Sequence, residues 1–327
     1  MKKSLVVGIM TVFLAVCLLA GCGGDSKPAA TQTKYPEKDI TLICPWSPGG
    51  SSDLLTRAIA QSANKILGKP MVVMNRDGAN GIVATTDLAK AKPDGYTISL
   101  GVSGLFTNQP HVNKNLGFKQ DDFDFLIGFT NEPILLTVNA DSPYKTLEEL
   151  LKDAKEKDMV IRFSNSGTGG FPQLCLTYLF QLAGVKAQAV PFKGGAPALT
   201  ALLGGHVEAA ASHPGEAIPH IKAGKLRPLA ISSENRFDAL KDVPTLKEKG
   251  FAINMGVKKY IFAPKGLPKD VRDKLIDTFK KVHADPEFKK YLESINLMVD
   301  PMTDKQIVDF FNEQSPVMKK LLEEMPK

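Results

Sequence analysis

Aromatic side chains are scarce in this chain. They make up 7% of its 327 residues, with a single Trp, too few for the stacking platform that single-stranded nucleic acid uses. A charge excess is also missing: 41 Lys and Arg face 35 Asp and Glu, a net +6 scattered along the sequence rather than gathered in a basic stripe. Nucleic acid is therefore excluded as a partner. Cysteine is limited to four residues, with no CxxC and no Cys/His cluster, so no metal site is expected. No Gly-Lys-Ser/Thr follows a Gly-rich loop, and Gly-x-Gly-x-x-Gly is absent from those loops. No cofactor is called for. Past residue 20 no apolar run approaches the roughly 20 residues that cross a bilayer. What remains is ordinary globular composition, 43% hydrophobic and 23% charged, in a chain long enough for two core-bearing units of about 100–150 residues.

The N-terminus carries an address. Lys2 and Lys3 precede an apolar run from Leu5 to Ala20, which ends in Leu19-Ala20-Gly21-Cys22. That ending resembles a bacterial lipobox, in which the peptide is cut before the Cys and the thiol takes a diacylglycerol. An ordinary secretory signal with an incidental Cys is the alternative. Residues 1–21 are then a lipoprotein signal peptide, Cys22 is the lipidated residue, and 22–35 are a small, polar tether. The expected location is extracytoplasmic, lipid-anchored to a bacterial membrane, in the periplasm or on the outer face of the cell. Cys44 and Cys175 stay with the body, either as a disulfide or as two small buried hydrophobes. Their places at a core strand end and on a helix's apolar stripe favour the second.

Strand and helix patterns alternate through the body. Strands are predicted at Asp39–Cys44, Met71–Met74, Tyr96–Val102, Phe125–Phe129, Ile134–Val138, Met159–Phe163, Ala187–Pro191, Val207–Ser212, Leu226–Ile231 and Ile261–Ala263. Helices are predicted between them, and the chain after Ala263 reads as helical to Glu324. This implies an α/β fold with mainly parallel sheets. The order strand, Gly-rich loop, helix, strand, helix, strand occurs twice, first around Ser47-Pro48-Gly49-Gly50-Ser51 and again around Ser166-Gly167-Thr168-Gly169-Gly170. Two similar lobes follow, residues 36–136 plus about 250–327 and residues 137–249.

Each loop feeds a helix whose first N–H groups lack internal partners and carry partial positive charge. Gly lets the backbone come close to a ligand, and Ser or Thr adds hydroxyls. Paired in matched positions, the loops form an expected clamp for a small carboxylate. Gly49, Gly50, Gly169 and Gly170 would present amides, and Ser51 and Thr168 hydroxyls. Trp46 either packs over the ligand or staples the helix start, and Asp53 caps the helix or fixes the loop.

Several segments together carry a family likeness: Pro45-Trp46-Ser47-Pro48-Gly49-Gly50-Ser51-Ser52-Asp53, Asn75-Arg76-Asp77-Gly78-Ala79, Lys92-Pro93-Asp94-Gly95-Tyr96-Thr97, Pro191-Phe192-Lys193-Gly194-Gly195-Ala196 and Phe262-Ala263-Pro264. Through them the chain, from Tyr35 nearly to its end, resembles the solute-binding receptors of tripartite tricarboxylate transporters, the Bug receptors. The resemblance implies a type II periplasmic-binding fold, with two lobes closing on a small carboxylated solute held by backbone amides of both loops. By position it carries over Trp46, Ser47, Pro48, Gly49, Gly50, Ser51 and Asp53 from the first loop, Ser166, Gly167, Thr168, Gly169 and Gly170 from the second, and Ser103 at the cleft edge. It also implies a monomer that delivers its solute to one large and one small integral membrane subunit. The chain departs from many relatives at Gln173 (where they have His), at Lys258-Lys259 (Trp) and at Phe106 (a polar residue). Lys258 either pairs with a second carboxylate of the solute or is solvated.

A secreted lipoprotein hydrolase acting on a small anion is the rival reading, and an adhesive lipoprotein a further one. Against the hydrolase, no Gly-x-Ser-x-Gly exists and the five histidines do not suggest a triad.

Overall fold

The computed structural model describes residues 34–325. The signal peptide, Cys22 and nearly all of the tether lie outside them. The elements are β1 (Ile40–Cys44), α1 (Ser51–Leu67), β2 (Met71–Asn75), α2 (Ile82–Ala89), β3 (Thr97–Val102), α3 (Gly104–Thr107), α4 (Gln109–Val112), β4 (Phe123–Pro133), β5 (Leu135–Asn139), α5 (Leu147–Glu156), β6 (Ile161–Asn165), α6 (Phe171–Leu182), β7 (Ala187–Pro191), α7 (Gly195–Leu203), β8 (Ala209–Ser212), α8 (Pro214–Lys222), β9 (Leu226–Ile231), β10 (Gly256–Pro264), α9 (Lys269–Ala284), α10 (Pro286–Ser294), β11 (Val299–Thr303) and α11 (Asp304–Glu324).

The strands form two sheets, each the centre of a lobe. One has the order β11-β4-β10-β3-β1-β2, the other β7-β6-β8-β5-β9. The repeat in the sequence is real in space. β1 lies between β2 and β3, and β6 between β7 and β8, all four pairings parallel. The likeness continues outward, because β10 adds antiparallel to β3 just as β5 adds to β8.

That addition corrects the expectation of mainly parallel sheets. Among the described residues five of the nine strand pairings are antiparallel, so the sheets are mixed. The reason is the path of the chain. β4 runs through Ile134 straight into β5 of the other sheet, and the return leg enters the first sheet as β10. A strand arriving from the opposite lobe needs no helical crossover and pairs antiparallel. The C-terminal stretch is also not wholly helical, since β11 pairs with β4.

Both crossings meet at one side chain. The Ser232 hydroxyl accepts from the Ile134 amide at 3.0 Å and donates to the Met255 carbonyl at 2.6 Å, and its own amide donates to the Ile134 carbonyl at 2.8 Å.

The core of the first lobe is rich in aromatics. Phe106 meets Phe125 edge-on at 5.3 Å and Phe118 at 5.7 Å, and it also packs against Phe262 and Phe311. Such pairs add about 0.5–1.5 kcal/mol each beyond the area they bury. Phe106 is thus core. Cys44 and Cys175 are both free and fully buried. Among the described residues no helix is long and apolar enough to cross a membrane, and no cluster of His, Cys, Asp and Glu is suited to a metal.

His283, in the last turn of α9, stacks on Phe129 at 4.4 Å and bonds the Gly128 carbonyl through Nε2 at 2.7 Å, leaving Nδ1 buried without a partner. Burial lowers its pKa from 6.5. The folded state then resists a proton that the unfolded chain accepts. Stability is complete above pH 6.5 and falls as pH drops through that value, by at most about 1.4 kcal/mol per pH unit. Urea unfolding at pH 7.5 and 5.5 should show this loss in the native protein and not in His283→Gln. Equal losses would refute the assignment.

Candidate functional site

The Gly-rich loops leave the carboxyl ends of β1 and β6, each the strand next to an edge of its sheet. Both helices they feed begin on a glycine with no side-chain cap, α1 on Gly50 and α6 on Gly170, and α7 begins likewise on Gly194. By contrast α5, α10 and α11 are capped by Thr146, Asp285 and Thr303. The uncapped starts gather at one cavity between the lobes. Its walls include Trp46, Gly50, Ser51, Ser52, Asn80, Ser166, Gly170, Phe171, Gly195, His213, Glu216 and Lys259. Its volume is about 30 Å³, room for roughly two waters, so the lobes are closed on one another. The closure is bonded across the cleft. The Ser47 amide and hydroxyl both donate to the Lys193 carbonyl at 3.0 Å, and Gln109 Nε2 donates to the Thr168 carbonyl at 2.9 Å.

Trp46, Gly50, Ser51, Ser166 and Gly170, all expected at the site, do line this cavity. The remaining expected residues lie around it. Asp53 fixes the first loop: its carboxylate accepts from the Gly49 amide at 3.0 Å, from Arg57 Nε at 2.9 Å and from Asn75 Nδ2 at 2.8 Å. Burial works to raise its pKa, but Arg57, Gly49 and Asn75 outweigh it and hold the carboxyl below its ordinary range. Ser47 bonds Asp77, while Pro48 and Gly49 are exposed. The Ser103 hydroxyl accepts from the Lys258 amide at 3.2 Å.

In the second loop the glycine amides are engaged within the loop and the helix it feeds. Gly167 donates to Asn165 Oδ1 at 3.0 Å, Gly169 to Gln173 Oε1 at 2.6 Å, and Gly170 to the Gly167 carbonyl at 3.3 Å. Thr168 is exposed. Among the described residues, the lining amides with no protein acceptor include Gly50 N and Ser52 N at the start of α1, Ser166 N and Phe171 N by the second loop, and Gly195 N at the start of α7.

Sequence reasoning did not single out Asn80, Glu132 or Glu216, and it named Lys259 only as a departure from relatives beside Lys258. Asn80 holds a left-handed backbone (φ 53°) and accepts from Trp46 Nε1 at 3.3 Å. Its side chain wedges against the second loop so closely that a Cβ on Gly167 would stand 2.8 Å from it, and one on Gly170 2.9 Å. Those glycines are needed for this approach.

Lys259 is 1% exposed and pairs with the equally buried Glu132 at 2.7 Å, while donating to the Ser51 hydroxyl at 2.6 Å. Ser51 also bonds Glu132, whose Oε1 accepts from Thr130 at 3.1 Å. Burial works to raise the Glu132 carboxyl. Lys259, then His213, outweigh burial and hold it below the ordinary range. Lys258, expected either to pair with a second carboxylate of the solute or to be solvated, pairs with Asp300 of the protein. Glu216, on α8 of the second lobe, reaches across the cleft. Its Oε2 accepts from the Ser51 amide at 2.9 Å and its Oε1 from the His213 amide at 3.1 Å.

The family described as "Tripartite tricarboxylate transporter family receptor" matches residues 55–326. A Cupriavidus necator protein, "UPF0065 protein in gbd 5'region", is 32% identical over 307 residues, covering 94% of this chain and 93% of its own length. The solved periplasmic binding protein BugD is 31% identical with a TM-score of 0.84, over 89% of this chain and 98% of that one. MatC from Rhodopseudomonas palustris, solved with bound malate, is 26% identical with a TM-score of 0.81, over 88% and 100%. That family consists of solute-binding receptors rather than enzymes, and this chain, with two lobes built on two sheets and meeting at the cavity described above, belongs to the receptor family of the tripartite tricarboxylate transporters.

Proposed function

We propose that this receptor captures a small carboxylated solute outside the cytoplasmic membrane. It would do so at the start of α1, between lobe 1 (residues 36–136 and about 250–327) and lobe 2 (residues 137–249). The single observation that carries the reading is that the first turn of α1 already holds a carboxylate, that of Glu216. An uncapped helix start with its dipole and its free amides forms a carboxylate environment, with the Lys259–Glu132 pair holding the Ser51 hydroxyl behind it. The similar protein MatC, solved with malate, supports the same class.

Gly50, Ser51 and Ser52 supply the donors, Trp46 and Phe171 the apolar walls, and Asn80 and Asp53 hold the loops in place. Solute binding closes the lobes and excludes water. The closed monomer then docks on the large and small membrane subunits. The lipobox-like Leu19-Ala20-Gly21-Cys22 supports a lipid anchor on Cys22, which the mass of the mature N-terminal peptide tests.

Trp46 is the only Trp in the chain and lines the cavity, so its fluorescence reports directly on occupancy. Titration with malate and adipate should give a saturable change without turnover. It should also give a thermal stabilisation worth about 2.7 kcal/mol at a hundredfold excess over Kd. An uncharged compound found by native mass spectrometry, with no saturation by any carboxylate, would sink the reading.

A further inference from the structure

We infer that Glu216 is the resident carboxylate of the α1 amide nest, a latch that holds the lobes together until a solute carboxylate takes its place. Glu216 is 7% exposed and belongs to the second lobe, while Ser51, whose amide it accepts at 2.9 Å, belongs to the first. The bond therefore crosses the cleft. The positive ends of three helices face this one carboxylate: α1 through Ser51, α8 through the His213 amide, and α7 through Gly195. Gly195 is what lets it in, since a Cβ there would lie 1.9 Å from Glu216 Oε2. Hydrogen bonds from amides to an ionised acceptor are the strong kind, and helix dipoles add to them.

A cavity of about 30 Å³ holds no malate-sized solute beside this side chain. The lobes have to part for a solute to arrive, and parting breaks the Ser51–Glu216 bond. The amide then serves one carboxylate or the other. Lys259 offers no second place, because Glu132 already pairs with it. Glu216 retains the His213 amide on its own helix, so its release leaves it partnered. The apparent affinity for a solute is lowered by the fraction of receptor that is latched. Glu216 thereby sets a threshold that a weakly bound anion does not pass. The latch itself stands on the contacts above, and only its displacement by solute rests on the carboxylate reading.

The test uses the full mature chain and two variants, Glu216→Gln, which removes the charge, and Gly195→Ala, whose methyl group evicts the carboxylate without altering it. In small-angle scattering without added solute, the native protein should be compact and both variants more open. In Trp46 fluorescence titrations, Glu216→Gln should bind malate at least about tenfold more tightly than the native chain. Variants as compact as the native protein, or a Glu216→Gln protein that binds malate no better, overturn the latch. Open variants with no binding of malate or adipate to any of the three proteins would uphold the latch and overturn the carboxylate reading instead.

Discussion

Replacing Lys259 by Met should destabilise the protein by about 3–5 kcal/mol, and replacing Glu132 by Leu in the same chain should recover most of the loss. The pair is 1% exposed on both sides, with the ammonium 2.7 Å from the carboxylate. Attraction between buried charges is largely offset by desolvation, so the pair as a whole adds little. Leaving one member alone forces a bare carboxylate to remain in the interior.

The pH dependence gives a fingerprint. In the native protein the Glu132 carboxyl is held below its ordinary value of 4.5, so its contribution is present above that pH and lost as pH falls through the folded value. In Lys259→Met, burial acts on Glu132 with its main opponent gone and favours the protonated form. The deficit should be widest at neutral pH and narrow on approach to about pH 4.5. Urea unfolding of both single variants and the double variant measures this. A single-variant cost under about 1 kcal/mol would show that the interior pair is not desolvated as described.

Gly50→Asp should lower the affinity for a proven carboxylate by about a thousandfold while leaving the fold intact. Gly50 has φ −80° and ψ 167°, open to any residue, and Asp is a favoured helix N-cap. A Cβ there would stand 3.4 Å from Glu216 Oε2 and 3.4 Å from the Gly195 amide, inside the nest. Two carboxylates about 4 Å apart repel by about 4 kcal/mol at an effective dielectric of 20. That is about three decades in Kd. Gly50→Asn, of the same size and uncharged, isolates the effect of charge. Calorimetry should separate the two variants by at least a hundredfold, and equal affinities would remove the start of α1 from the binding site.

The elements with short-range causes were legible in the sequence. The Gly-rich loops, the helices they feed and the repeated unit around β1 and β6 depend on local backbone freedom and on periodicity, and the structure holds them where expected. Strand direction was not legible, because hydrophobic alternation is the same for parallel and antiparallel neighbours. β11, with an alternating exposure pattern and Pro301 within it, carries no apolar run to announce a strand. Lys259 was hidden for a related reason. With the strand read only as Ile261–Ala263, two adjacent lysines resemble a solvated pair. In the full β10, Gly256–Pro264, successive side chains alternate, so Lys258 faces outward to Asp300 and Lys259 inward to Glu132. Glu216 and Asn80 act on residues far away in sequence, at Ser51 and at Gly167 and Gly170, and no local signal marks such partners.

The Ser232 contacts have a mechanical corollary. With Ile134, Ser232 and Met255 bonded at one spot, the linked halves share a spine, and a hinge there would let them swing like book covers. A small displacement near the spine becomes a large one at the free rims. A membrane partner that grips both rims could therefore sense whether the cargo hold is filled purely from the angle between the covers, without ever touching the cargo.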